Sequence, residues 1–187
     1  MSVLANDLLA KQIAILHETI AKDATIGFLV KTTNPLADND IKEATNASEM
    51  LGHKALTAKV NAQSEIAVAV ADLVQKGAAA LVIFPDALFA GNLAELAELT
   101  ISRKLPAIYS FPGFAAAGGL ISYGANQSEA YRQAGIYAGR ILKGAKPSEL
   151  PVMQSAHFEF IVNLKTAKAI GISLSQTLLG TVDQAIE

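Results

Sequence analysis

No cysteine occurs among the 187 residues. That excludes disulfides, thiolate metal ligands and a cysteine nucleophile, and leaves the redox compartment open, since oxidising compartments also hold cysteine-free proteins. Charge is scarce as well, at 17% of residues with a formal net charge of -2, and no basic run exceeds a pair. Without a basic stripe there is no footprint for a phosphate backbone, so nucleic acid is not an expected partner. Long uncharged apolar windows are missing, which argues against a transmembrane helix. Met1 to Ile20 lack a basic leader region and carry Asp7, Lys11 and Glu18, so they do not read as a signal peptide. Linkers rich in Pro or Ser and low-complexity segments are absent too.

Catalytic signatures are also missing. There is no GxSxG, no Walker-type Gly-Lys-Ser/Thr loop, no GxGxxG after a strand and no HExxH. His17, His53 and His157 lie far apart in sequence and read as ordinary, partly exposed histidines, so neither a metal nor a cofactor is expected. No catalytic residue is assigned.

What remains is a chain that is 51% hydrophobic and patterned throughout. Leu4, Leu8, Leu9, Ile13, Leu16 and Ile20 share one helical stripe. Apolar strands are expected over Thr25 to Val30, Lys54 to Val60, Ala79 to Phe84, Leu105 to Tyr109 and Leu120 to Tyr123. Helices alternate with them over Asp38 to Leu51, Ser64 to Lys76 with Ser64 as cap, Leu88 to Lys104, and Ser128 to Lys143. Buried strands alternating with long helices predict an α/β fold, a doubly wound parallel sheet with helices on both faces. One domain is expected. It comprises a leading helix (1–22), core βα repeats (23–125), and a crossover helix, late strand and C-terminal helices (126–187), the late strand Phe158 to Val162 joining the sheet as its edge.

In such a sheet ligands bind beyond the carboxyl ends of the strands, where helix N-termini and free amides gather. The candidate ligand-binding residues are therefore Asn34, Asp86, Ser110, Phe111 and Tyr123. Asp86 follows an apolar strand directly and can pair with a ligand ammonium group, or cap the helix after it, or both. Asn34 precedes Pro35, a turn signal, and offers a ligand hydrogen bond as an alternative to a local one. Tyr109, Ser110, Phe111, Phe114 and Tyr123 cluster aromatic and hydroxyl groups in a chain with only 6% aromatic residues, the mixture a small-molecule pocket needs.

Several stretches together resemble a known family: Ala10-Lys11 with Leu16, Asn34-Pro35, Phe84-Pro85-Asp86, Leu105 to Tyr109, Ala117 to Gly124, Ile141 to Val152, and Asn163 to Gly171. The Lys143-Gly144-Ala145-Lys146-Pro147 run leading to Leu150-Pro151-Val152, and Asn163-Leu164-Lys165-Thr166-Ala167-Lys168, are the specific ones. The family is the ABC-transporter substrate-binding proteins of the tryptophan/tyrosine type. The resemblance implies a type I periplasmic-binding-protein lobe, a small ligand such as an amino acid, an ABC permease as partner, and a periplasmic location. It also implies that the family's first lobe is absent here, so the cleft has one wall and the chain alone is expected to bind weakly or not at all. The helix over Ser128 to Lys143 then lacks a cover on Ala130, Ala134, Ile136, Tyr137 and Ile141, which points to a homodimer or a swapped arrangement. Two alternatives stand beside this reading: a ligand-sensing domain of a regulator, and an α/β enzyme using Asp86 as acid or base.

Overall fold

β1 (Thr25–Lys31) buries five successive residues, because both of its faces are covered. The computed structural model describes residues 5–151 and 157–187. Leu4 of the first helical stripe and Val152 of the family-like run lie outside them. The chain begins with α1 (Ala5–His17), and β1 is followed by α2 (Ala37–Met50), β2 (Lys54–Val60), α3 (Gln63–Gln75) and β3 (Ala78–Ile83). Then come α4 (Ala87–Ala90), α5 (Leu93–Ser102), β4 (Ala107–Tyr109), α6 (Gly113–Ala116) and β5 (Ile121–Ala125). The remainder is α7 (Gln127–Leu142), a 3-10 turn at Pro147–Glu149, β6 (Phe158–Asn163), α8 (Leu164–Ile170), α9 (Gln176–Leu179) and β7 (Gln184–Ile186).

The seven strands form one sheet in the order β2-β1-β3-β4-β5-β6-β7. The first five are parallel, β6 runs antiparallel to β5, and β7 is parallel to β6. Alternate residues of each strand feed two cores. Phe28, Val82 and Ile108 face Leu9, Ile13 and Leu16 of α1 and Ala44 of α2. Leu29, Leu81 and Tyr109 face Ile66 and Val70 of α3, Leu96 of α5 and Phe114 of α6. Phe28, with no exposed surface, contributes on the order of 1.5–3 kcal/mol by its burial alone. The α/β doubly wound sheet is as expected.

Four local expectations are corrected. The helix over Leu88 to Lys104 is two helices, broken at Gly91-Asn92, where the Asn92 side-chain amide donates to Leu88 O (2.7 Å) and competes with helix continuation. Ser64 does not cap α3: the helix starts one residue earlier, with Ala62 at the cap position, and Glu65 reaches back to accept from the Asn61 amide (2.6 Å). The late strand is not the sheet's edge, because β7 pairs outside it. Not every histidine is partly exposed: His53 is buried, 2% exposed, because it packs against the end of α1 and the residue before β1, its Nε2 lying 2.8 Å from His17 Nδ1 and its other nitrogen bonding Ala24 O. The carbonyl makes His53 Nδ1 a donor, and in the neutral ring Nε2 is then the acceptor that faces His17 Nδ1.

α7 is capped by Asn126, whose Oδ1 accepts from the Glu129 amide (2.8 Å). None of its described side chains is buried. Tyr131 is 75% and Leu142 88% exposed, with Ile136 and Ile141 partly so.

Candidate functional site

The strand order reverses between β1 and β3: β2 lies beyond one, β4 beyond the other. Connections leave the carboxyl ends of these two strands in opposite directions, and the crevice between them is where an open α/β sheet takes its ligand. The residues leaving those two ends are Asn34 and Asp86. The two turns are joined through the residue before Asp86, since Asn34 Nδ2 donates to Pro85 O (3.3 Å). Asn34 Oδ1 accepts from the Leu36 amide (3.0 Å), so this side chain fastens the β1 turn to the β3 turn with both ends of its amide.

Asp86 takes up the extended backbone of a cap residue, and its Oδ1 accepts from Leu88 N at 2.9 Å. Capping occupies one carboxylate oxygen. Oδ2 has no partner among the described residues, so the capping and ligand roles are compatible. The Asp86 carbonyl is held in turn by the Tyr109 hydroxyl, which donates to it at 3.0 Å. Burial pushes the Tyr109 phenol up to about 12, and the negative charge of Asp86 adds to that against the lowering by the hydrogen bond. The phenol is therefore a fixed donor, never a base, at physiological pH.

Ser110 and Phe111 continue from β4. The Phe111 ring stacks on Tyr109 with centroids 6.3 Å apart, which brings an aromatic face alongside the Asp86 turn. Behind this loop the buried Ser122 hydroxyl donates to Phe111 O and accepts from Ala115 N, both at 2.9 Å. Gly124 permits the close approach of β5, since a Cβ there would lie 1.9 Å from Ser110 O.

Asn34, Asp86, Ser110 and Phe111 thus gather at adjacent strand ends. Tyr123 is not brought to them. Its ring turns to the α1 face of the sheet and packs on Phe158 and Phe160. The sequence reading overlooked the Tyr109 hydroxyl as the anchor of the Asp86 turn and Ser122 as the anchor of the Phe111 turn. A buried tyrosine ending an apolar strand was the available signal for the first. Among the described residues no group of three or more His, Asp or Glu side chains is placed to hold a metal ion, and no helix is long and apolar enough to cross a membrane.

A mostly parallel sheet in this order, with its polar residues at the β1/β3 crossing, defines a lobe of the type I periplasmic-binding-protein kind. The chain belongs to the ABC transporter substrate binding protein family, whose sequence pattern it matches over residues 3–186. Among solved structures, an ABC domain from Streptococcus pneumoniae in complex with L-Trp shares 24% identity and a TM-score of 0.86, covering 96% of this chain and 60% of that one. A conserved domain protein from Vibrio cholerae is 16% identical at the same TM-score, covering 95% of this chain and 60% of that one. The ligand-free, open structure of CD0873 from Clostridium difficile, a substrate binding protein with adhesive properties, is 23% identical with a TM-score of 0.69, covering 94% and 59%. A curated relative, the uncharacterized protein RP367 of Rickettsia prowazekii, is 26% identical over 110 residues, which is 59% of this chain and 36% of that protein. The chain therefore spans about three fifths of the solved chains it resembles.

Proposed function

We propose that this chain is one lobe of the solute-binding component of an ABC-type uptake system, and that it contacts an amino acid at the carboxyl ends of β1, β3 and β4. The observation that carries the reading is Asp86: a carboxylate at the topological crossing, fixed through one oxygen and through its own carbonyl, with Oδ2 left for a ligand ammonium group. Ser110 supplies a hydroxyl, Phe111 an apolar wall, and Asn34 the fastening that keeps the two turns in register. The L-Trp held by the Streptococcus pneumoniae domain sets the ligand class to try first. Nothing in this arrangement demands catalysis. A solute-binding component works by recognition and hands its ligand to an ABC permease, in this reading at the outer face of the cytoplasmic membrane.

Titration of the chain with L-Trp and the other amino acids, followed calorimetrically and by thermal shift, tests the proposal, because ligand binding to the native state raises stability by mass action. Asp86→Asn keeps an acceptor for the Leu88 amide and removes the charge. Its expected result is an unchanged melting temperature without ligand and at least about a tenfold loss of affinity. Equal affinity in Asp86→Asn would remove Asp86 from the site.

A further inference from the structure

Tyr123 faces a cavity of about 270 Å³ bounded by α1, β5, β6 and α9, and none of Asn34, Asp86, Ser110 or Phe111 lines it. We propose that this cavity is a second small-molecule site, for a primary ammonium compound with a flat apolar body.

Its floor is aromatic. Tyr123 and Phe160 are direct partners in the antiparallel β5/β6 register, and their rings meet edge to face at 5.9 Å. Phe158, one step along the same face of β6, lies parallel to Tyr123 within 9°, also at 5.9 Å. Cross-strand packing explains why these rings touch. It does not explain why they open onto a cavity ringed by charge. The rim carries the carboxylates of Glu18 and Asp183 against the single cation Lys11, and no ion pair joins Lys11 to either among the described residues. Asp183 is held in place, its Oδ2 accepting from the Phe160 amide at 2.8 Å, which leaves Oδ1 open. Its charge reaches the Tyr123 phenol, whose proton affinity is raised first by burial and then by Asp183.

A cation is the complement of such a place, since it gains from the carboxylates and from the negative faces of the rings together. At about 270 Å³ the cavity lies just below the usual range of ligand pockets, about 300 Å³ and upward, so the body is no larger than one ring.

The experiment is an amide-resolved NMR titration of the 187-residue chain with phenethylammonium chloride and, in parallel, with uncharged 2-phenylethanol. Saturable shifts are expected at Lys11, Tyr123, Phe160 and Asp183, with affinity for the alcohol at least about tenfold weaker. Asp183→Asn, which keeps an acceptor for the Phe160 amide, and the exposed Glu18→Gln should each weaken the ammonium compound severalfold while leaving its neutral analogue unaffected. The proposal is overturned by an absence of saturable shifts up to about 10 mM, by equal affinity for the alcohol, which would mark a plain apolar groove, or by indifference to both substitutions.

Discussion

Tyr109 does two things at once: its ring fills the core under α5 and α6, and its hydroxyl holds the Asp86 turn. The two roles are coupled through its proton. In the unfolded chain the phenol ionises near pH 10; in the folded protein it does so near 12, because burial disfavours the anion. Between those values the native state keeps a proton that the unfolded state has lost, so stability is fully present below pH 10 and falls as pH rises through 12. The total loss is about 2–3 kcal/mol for a side chain this buried. Denaturant titrations between pH 9 and pH 12.5 should show this slope in the parent, and Tyr109→Phe should lose most of it (about 2 kcal/mol), with Tyr123, whose phenol is also raised by burial, supplying the remainder. Parallel curves for the two proteins would remove Tyr109 from the account. At this scale the position of Asp86 was legible in the sequence, because a carboxylate one residue past the apolar run Leu81 to Phe84, with Pro85 ending the strand between them, has nowhere to go but the strand end. The placing of Tyr123 was not. Alternation along a strand says that successive residues take opposite faces, but which face meets α1 depends on the packing of a helix more than a hundred residues away.

At the scale of elements, the strand and helix succession followed from periodicity, and the errors fell where a few local hydrogen bonds decide. Gly91-Asn92 splits a pattern that is apolar enough to continue as one helix, and Glu65 shifts the start of α3 by one residue. β7 is three residues long, too short for any alternation to register, and it forms because Asp183 ties its approach to β6: the Asp183 amide donates to Phe160 O at 2.9 Å and its carboxylate accepts from Phe160 N. Of all the glycines, Gly124 leaves least room for a side chain, where β5 passes the turn after β4. A methyl group on Gly124 would sit 1.9 Å from Ser110 O and 2.8 Å from Ser110 C, both backbone atoms that cannot turn aside. Gly124→Ala therefore forces β5 away from β4 and should cost about 3 kcal/mol, as overpacking does. The midpoint of urea unfolding measures it, and a midpoint within error of the parent would show that the two strands separate freely.

For the whole molecule, the telling feature is the contrast between the sheet and α7. Helices on both faces of β1 and β3 are sunk into the two cores, whereas α7, though well capped and 16 residues long, has Tyr131, Ile136, Ile141 and Leu142 all exposed. A helix with apolar residues in the open receives little of the tertiary packing that ordinarily stabilises helices. Such a surface favours association. The chain on its own is therefore expected to form a homodimer through α7, at concentrations where sedimentation equilibrium or light scattering can follow it. Tyr131→Lys together with Leu142→Glu removes the two most exposed large apolar groups of α7 without touching the sheet, the Asp86 turn or the cavity beside Tyr123. The pair should return the chain to a monomer with its unfolding midpoint unchanged. A parent that is monomeric at high concentration would mean that the polar residues interleaved along α7 keep it solvated, and a dimer that survives the two substitutions would place the contact on another face.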